Sequence, residues 1–258
     1  MRSDEWVLVT GASGGIGLEL ARCFAAEGCR LVLTARRSAE LDTLATELRD
    51  RHACEAIVIA ADLARSDGVD ALLAELDRQQ LAPDVLVNNA GFGARGDFAS
   101  MAPERIEAML SVNVTAVTRL ARALLPAMRR RRRGGLLNVA STAAFQPGAY
   151  MASYYASKAY VLSLSEALHV ECRRDGVAVT CLCPGATATG FAAEADMSGS
   201  LLFRLGSMRA DVVARAGHAG FRRGKAIVIP GLRNKLGMQS LRISPRAVVR
   251  TLVARLQH

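Results

Sequence analysis

The stretch WVLVTGASGGIG, residues 6–17, decides how this sequence should fold. Its first five residues form an apolar run typical of a buried strand, and glycines follow at positions 11, 15 and 17. These glycines permit a tight turn, a close approach of the backbone to a pyrophosphate, and close packing of a helix on the strand. The free amide groups at the start of that helix would then face the anion. A dinucleotide-binding turn is therefore predicted directly after the first strand.

Further apolar runs recur at regular intervals and alternate with helical patterns. The predicted strands cover residues 6–10, 30–35, 56–60, 85–88, 136–140, 177–183 and 226–229. Because the runs are continuously apolar, they indicate a parallel sheet covered by helices on both faces. The sequence thus predicts an α/β protein with a doubly wound, seven-stranded parallel sheet of the Rossmann type, formed by residues 1–258 as a single domain.

Residues 185–225, between the sixth and seventh predicted strands, interrupt this rhythm. The segment is rich in alanine and glycine and is longer than an ordinary connection. Ligands of doubly wound sheets bind beyond the carboxyl ends of the strands, where such an insertion could cover them. We expect a substrate-side lid here, with a pair of plain surface helices as the alternative.

The composition is that of a globular protein, with 51% hydrophobic and 22% charged residues. The six cysteines are scattered without CxxC spacing, so neither a disulfide framework nor a metal site is predicted. The first residues carry two acids and lead straight into a strand, and no run of eighteen apolar residues occurs. These features predict a soluble, cytoplasmic protein.

The formal net charge of +9 raises the question of a polyanionic partner. The arginine run at residues 129–133 closes a helical segment, where cations suit the negative end of the helix dipole, and no aromatic residue is interleaved for base stacking. We interpret it as a solvated helix end and expect no nucleic-acid partner. Residues 230–258 are basic and apolar, and we expect them to pack on the sheet or on a neighbouring subunit rather than on a membrane surface.

The end of the second strand bears on the choice of cofactor. Folds that select NAD usually place an acid there to bind the ribose 2′-hydroxyl, whereas this chain has Ala35, Arg36 and Arg37. Two guanidinium groups suit a 2′-phosphate, so NADP is the predicted cofactor, with Arg36 as the first candidate and NAD as the alternative. Asp62, after the third strand, is placed either to reach the adenine amine or to cap a helix. The NNAG sequence at residues 88–91 suits a position under the cofactor or a structural turn.

All four tyrosines of the chain fall within residues 150–160. A phenol has a pKa near 10, so it transfers protons at neutral pH only when its anion is stabilised. A lysine one helical turn away on the same face stabilises that anion, and Tyr154 lies four residues before Lys158. Tyr155 and Tyr160 lie off this face and Tyr150 is two turns away, so the spacing selects Tyr154.

Together, the motifs TGASGGIG, NNAG, YYASK and PGATAT, in this order, resemble the short-chain dehydrogenase/reductase family over essentially the whole chain. The resemblance implies a catalytic set of Asn113, Ser141, Tyr154 and Lys158, with the serine thirteen residues before the tyrosine. The cofactor-binding residues expected from these motifs are Gly11, Ser13, Gly15, Ile16, Gly17, Arg36, Arg37, Asp62, Leu63, Asn89, Ala90, Gly91, Tyr154, Lys158, Pro184, Gly185, Thr187 and Thr189.

The activity implied by the resemblance is carbonyl reduction with NADPH, or its reverse. Tyr154 would donate a proton to the developing alkoxide, Ser141 would hold that oxygen, and Asn113 would position a water. Lys158 would lower the pKa of the tyrosine and bind the nicotinamide ribose. The alternative is a regulatory protein that senses the dinucleotide without turnover. Gly14 stands where relatives often have a basic residue, which leaves the 2′-phosphate to the two arginines.

Three further features bear on the substrate and the assembly. Residues 191–208 are apolar with two methionines, and Phe92, Phe145 and Gln146 are candidates for the pocket edge. This favours a small apolar ketone, aldehyde or acyl chain. The resemblance also implies a homodimer or homotetramer that pairs the helices predicted over residues 103–128 and 151–174.

Overall fold

The computed structural model of the protein describes residues 4–191, 206–241 and 243–257. Its strands are β1 (Trp6–Thr10), β2 (Arg30–Thr34), β3 (Ala56–Val58), β4 (Val85–Asn88), β5 (Gly135–Val139), β6 (Ala178–Leu182), β7 (Thr187–Ala188), β8 (Met208–Arg209) and β9 (Ile227–Val228). Seven of them form one sheet in the order β3-β2-β1-β4-β5-β6-β9, and each pair in it is parallel. The predicted seven-stranded, doubly wound sheet is confirmed.

The order of the strands reverses beside β1. The chain passes from β1 outward to β2 and β3, returns to pair β4 with the other side of β1, and continues outward through β5 and β6. In doubly wound sheets, ligands bind in the crevice at this reversal, beyond the carboxyl ends of the strands. The turn that follows β1 and the NNAG sequence that follows β4 therefore meet at the same place.

Helices cover both faces of the sheet. They are α1 (Gly15–Ala26), α2 (Ser38–His52), α3 (Gly68–Arg78), α4 (Pro103–Leu110), α5 (Val117–Arg131), α6 (Ala152–Cys172), α7 (Ala210–Arg222), α8 (Leu232–Leu241) and α9 (Arg246–Gln257). Val7 and Val9 of β1 pack in a cluster with α1, α2 and α7, whereas Leu8 packs in a second cluster with α3 and α5. Burial on both faces explains why the strands are continuously apolar.

A π-helical turn, Ser111–Ala116, joins α4 to α5 into the long helix expected over residues 103–128. The π-helical turn itself was not predicted from the sequence. The helix Pro103–Arg131 is long enough to cross a membrane, and its most apolar window of 18 residues has a mean hydropathy of 1.2, so it qualifies by length and composition alone. Leu120, Leu125 and Met128 of this helix are nevertheless buried in the second cluster, against the sheet. The long helix thus fits the core of the fold.

The arginine run ends α5, and its side chains bind neighbouring segments. Arg129 pairs with Asp175, and Arg133 Nε lies 3.2 Å from Asp84 Oδ1. Arg132 takes a left-handed backbone conformation at the end of the helix and donates to the carbonyl of Arg174 at 3.0 Å. These contacts give the run a structural role at the end of α5.

The segment 185–225 consists of several parts. Helix α7 joins the first cluster through Val213 and Phe221, so this part covers the sheet. Strands β7 and β8 pair with each other and hold the two ends of the intervening stretch together. Residues 192–205, on which the expectation of a lid chiefly depends, lie outside the described residues.

Candidate active site

A cavity of about 670 Å³ opens at the carboxyl ends of the strands, where the strand order reverses. Its walls come from the segments that follow β1, β2, β3, β4, β5 and β6, and from the first turns of α6. All the predicted cofactor-binding residues line this cavity except Gly17. Gly17 is buried under the turn, where α1 packs against the side chain of Asn89.

The glycine turn is fixed by hydrogen bonds from the end of β4. Asn89 Nδ2 donates to the carbonyl oxygens of Thr10 at 2.9 Å and Gly11 at 3.1 Å. Thr10 Oγ1 in turn accepts from the backbone amides of Asn89 at 2.9 Å and Ala90 at 3.0 Å. The side chain of Asn89 and the side chain of Thr10 thus each bind the backbone of the other segment, and these bonds hold the glycine turn against the end of β4. Thr10, a polar residue closing an apolar run, was not singled out in the sequence.

The start of α1 is suited to an anion. Gly14, which precedes the helix, provides no side-chain cap, and the first turn carries no acidic residue. Gly15 has φ of +56°, and a Cβ there would lie 3.0 Å from Thr189 Cγ2, so only glycine fits this position without strain. The backbone can thus approach a diphosphate closely at the positive end of the helix dipole. These residues fit the diphosphate of a dinucleotide.

The arginines after β2 lie at the rim of the same cavity, and both are exposed. Arg37 Nε pairs with Glu40 Oε1 at 2.9 Å. Asp62 also lines the cavity, and its Oδ1 accepts from the amide of Ala64 at 3.0 Å. Because α3 begins only at Gly68, Asp62 does not cap that helix, and this alternative from the sequence was wrong.

Tyr154 lies in the first turn of α6 and is buried, with 8% of its surface exposed. Burial raises the pKa of its phenol, which is the opposite of the lowering expected from Lys158, and a hydrogen bond with Ser141 acts to lower that pKa. Ser141 directly follows β5, and its Oγ accepts from the amide of Ala143 at 3.1 Å and donates to the carbonyl of Pro184 at 3.4 Å. The structure therefore brings the predicted serine and tyrosine together in the cavity.

Lys158 lies one helical turn after Tyr154, and its ammonium group is buried under the tyrosine. Its Nζ donates to the carbonyl of Val139 at 3.0 Å and lies 5.9 Å from the centroid of the Tyr154 ring. Burial lowers the pKa of Lys158 to about 8, although the nearby thiols of Cys181 and Cys183 act to raise it. A lysine with this pKa still carries its charge for the most part at pH 7.

Asn113 is fully buried in the π-helical turn and supports the site from outside the cavity. Its Oδ1 accepts from the amide of Phe92 at 3.2 Å, and its Nδ2 donates to the carbonyl of Phe92 and to Ser157 Oγ, each at 3.0 Å. Ser157 Oγ donates to the carbonyl of Tyr154 at 2.7 Å. Gly91 fits between these groups, since a Cβ there would lie 2.9 Å from Asn113 Oδ1 and 3.2 Å from Lys158 Nζ.

The remaining tyrosines take different places. Tyr155 also lines the cavity, and its buried ring packs against Gly148 and meets the ring of Tyr154 edge-on at 6.0 Å. Tyr160 Oη forms a hydrogen bond of 2.9 Å with Thr118 Oγ1 and does not line the cavity. Tyr150 lies before α6, with φ of +61°. Of the four, the cavity is lined by Tyr154 and Tyr155.

The end of the cavity beyond Tyr154 is apolar. Phe92 and Gln146 line the cavity as expected, whereas Phe145 packs in a separate cluster. Further lining residues that the sequence did not identify are Ala143, Met151, Phe191 and Val253. Val253 belongs to α9, which packs on this end of the cavity rather than on the sheet.

Comparisons with known proteins agree with this geometry. A family model described as short chain dehydrogenase matches residues 5–198. A putative ketoacyl reductase from Streptomyces coelicolor is 38% identical over 195 residues, which are 75% of this chain and 74% of the relative. The NADPH complex of a short-chain dehydrogenase from Sphingobium yanoikuyae superposes with a TM-score of 0.84, at 34% identity over 95% of this chain and 94% of the other. The bulky-bulky ketone specific alcohol dehydrogenase from Comamonas testosteroni gives a TM-score of 0.78, at 31% identity over 94% and 95%.

The chain belongs to the short-chain dehydrogenase family. Its fold, its dinucleotide cradle and its relatives define an oxidoreductase that uses NAD or NADP and acts on small molecules. The protein is thus an enzyme, a short-chain NAD(P)-dependent dehydrogenase/reductase.

Proposed function

We propose that the protein is an NADP(H)-preferring oxidoreductase that interconverts a carbonyl and an alcohol on a small apolar substrate, with Tyr154 as general acid and base. One observation carries this proposal: Tyr154 and Ser141 line the same cavity as the glycine turn, and Lys158 Nζ lies 5.9 Å from the centroid of the Tyr154 ring. A nicotinamide cofactor held by that turn would supply or accept the hydride.

Tyr154 is suited to donate a proton. A phenol is protonated at neutral pH at its ordinary pKa near 10, and burial raises the pKa of Tyr154 further, so the residue holds the proton that carbonyl reduction requires. The proton passes to the oxygen of the substrate, and a negative charge remains on the phenol. The Ser141 hydroxyl can donate a hydrogen bond to the substrate oxygen and so stabilise the charge that develops there.

Lys158 is suited to compensate the charge left on the tyrosine. Its ammonium group is held beneath the ring by Val139 and is shielded from water, so its attraction to a phenolate is weakly screened. The same cation favours ionisation of the phenol in the reverse reaction. Asn113 acts through its neighbours, because its bonds to Phe92 and Ser157 hold the segment beside the lysine and the start of α6.

The residues at the rim support a preference for NADP. Ala35 occupies the place of the acid that would bind a ribose 2′-hydroxyl, and Arg36 and Arg37 line the cavity next to it. Arg36 directly follows Ala35, the place of that acid, so we assign the main contact with a 2′-phosphate to Arg36. The similar Sphingobium enzyme was crystallised with NADPH, which supports the same choice.

The walls of the cavity beyond Tyr154 support an apolar substrate. Met151, Tyr155 and Phe191 offer aliphatic and aromatic surface beside Tyr154, and Gln146 also lines the cavity. Such a wall favours a ketone or an acyl group over a sugar. The names of two relatives, a putative ketoacyl reductase and a ketone-specific alcohol dehydrogenase, are in line with this class.

The assembly and location that we propose are a homodimer or homotetramer in the cytoplasm. The two long helices, α4–α5 and α6, present exposed apolar side chains, namely Leu110, Tyr160 and Val170. Pairing of these helices between subunits would cover that surface. Sedimentation of the purified protein tests this assembly, and a strict monomer would refute it.

Titration with both cofactors tests the function. The purified protein is titrated with NADPH and with NADH while nicotinamide fluorescence is followed, and a panel of apolar ketones and aldehydes is then added. We expect tighter binding of NADPH and its oxidation by members of the panel. Binding without turnover of any substrate would contradict the proposed catalysis, and equal binding of the two cofactors would contradict the preference.

A further inference from the structure

Helix α9 has an inner and an outer apolar side. Val249 and Val253 lie one helical turn apart on the same face, and both are buried, with 7% and 4% exposed. The residues just before them, Val248 and Leu252, are 59% and 55% exposed. The orientation of α9 is therefore set by the burial of Val249 and Val253.

The inner side of α9 packs on the active site of its own chain. Val249 and Val253 belong to an apolar cluster that contains Met151, Tyr154 and Tyr155, with Phe191 packed against it. Among the described residues of α9, Val253 also lines the cavity itself. The Val253 side chain thus forms part of the cavity wall near Tyr154.

The chemistry of this wall differs from that of the opposite end of the cavity. Arg36, Arg37 and Asp62, at the cofactor rim, follow β2 and β3. The wall at α9 offers apolar surface from Met151, Phe191 and Val253. A substrate with its carbonyl at Tyr154 can therefore place one apolar substituent against α9.

We propose that Val253 is a specificity-determining residue, whose side chain limits the size of the carbonyl substituent on the α9 side of the cavity. This inference rests on the proposed carbonyl chemistry. In an apolar pocket, one methylene group more or less changes kcat/KM by roughly 10- to 200-fold between competing substrates. Changing the volume of residue 253 is therefore expected to shift the relative use of small and bulky ketones.

The test compares three variants of Val253 and one control variant on a series of ketones in which one substituent is always methyl and the other is an apolar group of increasing size. Val253→Ala enlarges the space, Val253→Leu and Val253→Phe reduce it, and Leu252→Ala is the matched control on the exposed side of the same helix. The ratio of kcat/KM for the bulkiest ketone to that for the smallest should rise about tenfold in Val253→Ala. The same ratio should fall at least tenfold in Val253→Phe and stay within twofold of the wild-type ratio in Leu252→Ala.

Two further measurements distinguish a Val253 side chain that contacts the substrate from one that only supports the fold. The Kd for NADPH and kcat for the smallest ketone should remain within about threefold of the wild type in Val253→Ala and Val253→Leu. The rise in Tm that each ketone causes in the NADPH-loaded protein gives the same size order without any turnover. A loss that is equal for small and bulky ketones, or an unchanged ratio in folded Val253 variants, would overturn the inference.

Failure of the proposed function would have a different signature. If no ketone were turned over, but the rise in Tm caused by each ketone still depended on the size of residue 253, the proposed catalysis would be refuted. The contact between Val253 and the bound ketone would then be supported on its own. If ketones were turned over, but the relative kcat/KM for small and bulky ketones did not change with residue 253, the proposed catalysis would be supported. The role of Val253 in specificity would be refuted.

Discussion

Replacing Tyr154 by phenylalanine removes one oxygen atom from the cavity and keeps the aromatic ring. The ring lies 5.4 Å from that of Phe191 and 6.0 Å from that of Tyr155, centroid to centroid, so its apolar packing is retained. The variant loses the hydrogen bond with Ser141 and the proton that the phenol would donate. Ser141 keeps its contacts with Ala143 and Pro184, so it is not left without a partner.

The two losses differ in size. Loss of a general acid lowers the rate by about 10²- to 10⁴-fold, which corresponds to about 3 to 5 kcal/mol in the activation free energy. Loss of one hydrogen bond, with the serine still satisfied, changes the free energy of unfolding by about 1 kcal/mol. In a protein of this size, such a change moves Tm by roughly 2 to 4 °C. We therefore expect kcat to fall at least a hundredfold while folding and cofactor binding persist.

The assay is steady-state oxidation of NADPH with a ketone that the wild type reduces, with Tm and the Kd for NADPH measured in parallel. Tyr155→Phe is the matched control, because it removes the same atom from the next residue, whose ring also lines the cavity. We expect kcat of this control to stay within about threefold of the wild type. A larger loss in Tyr155→Phe than in Tyr154→Phe would refute the assignment, as would a Tyr154→Phe variant that retains a tenth of the activity.

Three further substitutions test other parts of the structure. Arg36→Asp should lower the ratio of NADPH to NADH affinity at least tenfold, because it places a carboxylate beside the proposed site of the 2′-phosphate. Arg37→Asp should do less, since Arg36 is the residue that directly follows Ala35, the place of the acid in folds that select NAD. Equal effects in the two Kd series would contradict this ranking. Gly91→Ala should lower kcat about tenfold or more, because its Cβ would lie 2.9 Å from Asn113 Oδ1 and 3.2 Å from Lys158 Nζ. Gly237→Ala is the control and should leave kcat unchanged, since its Cβ would meet no described residue within 4 Å beyond the adjoining backbone of its own helix. His218 is held neutral because burial lowers its pKa, although Glu27 acts to raise it. The unfolded chain then binds a proton that the folded chain does not, so stability should decrease as the pH falls below the unfolded value of about 6.5. The drop in Tm between pH 7.5 and pH 5 should be smaller in His218→Gln than in the wild type, and His52→Gln is the control. An identical drop in all three proteins would contradict the assignment of this pH dependence to His218.

Much of the fold could be predicted because its signal lies in consecutive residues. The strands are buried on both faces, and this leaves an unbroken apolar run in the sequence at each of them. The predicted ends of the edge strands were less accurate. Strand β3 stops at Val58 instead of residue 60, and β9 covers Ile227–Val228 instead of residues 226–229. An edge strand pairs on one side only, so hydrogen bonding with a single neighbour, rather than apolar character, decides where it ends.

The parts of the site that were missed depend on contacts between distant residues. Tyr154 and Lys158 could be paired from their spacing, because four residues make one helical turn. The hydrogen bonds of Thr10, by contrast, reach Val87 and Asn89 across the sheet, and those of Ser157 reach the π-helical turn through Asn113. Val253 lies about a hundred residues beyond the tyrosine that it packs beside. No local pattern marks such contacts, since they exist only once the sheet has brought the segments together.

The reacting groups and the α9 wall belong to separate parts of the chain. Ser141 and Lys158 are fixed by β5 and α6, at the centre of the fold, whereas Val253 reaches the cavity from a helix outside the sheet. A substitution on α9 therefore alters the shape of the pocket with little effect on the hydrogen bonds of the sheet. In a gene lineage, such an arrangement lets substrate range diverge step by step while the proton-transfer machinery is inherited unchanged.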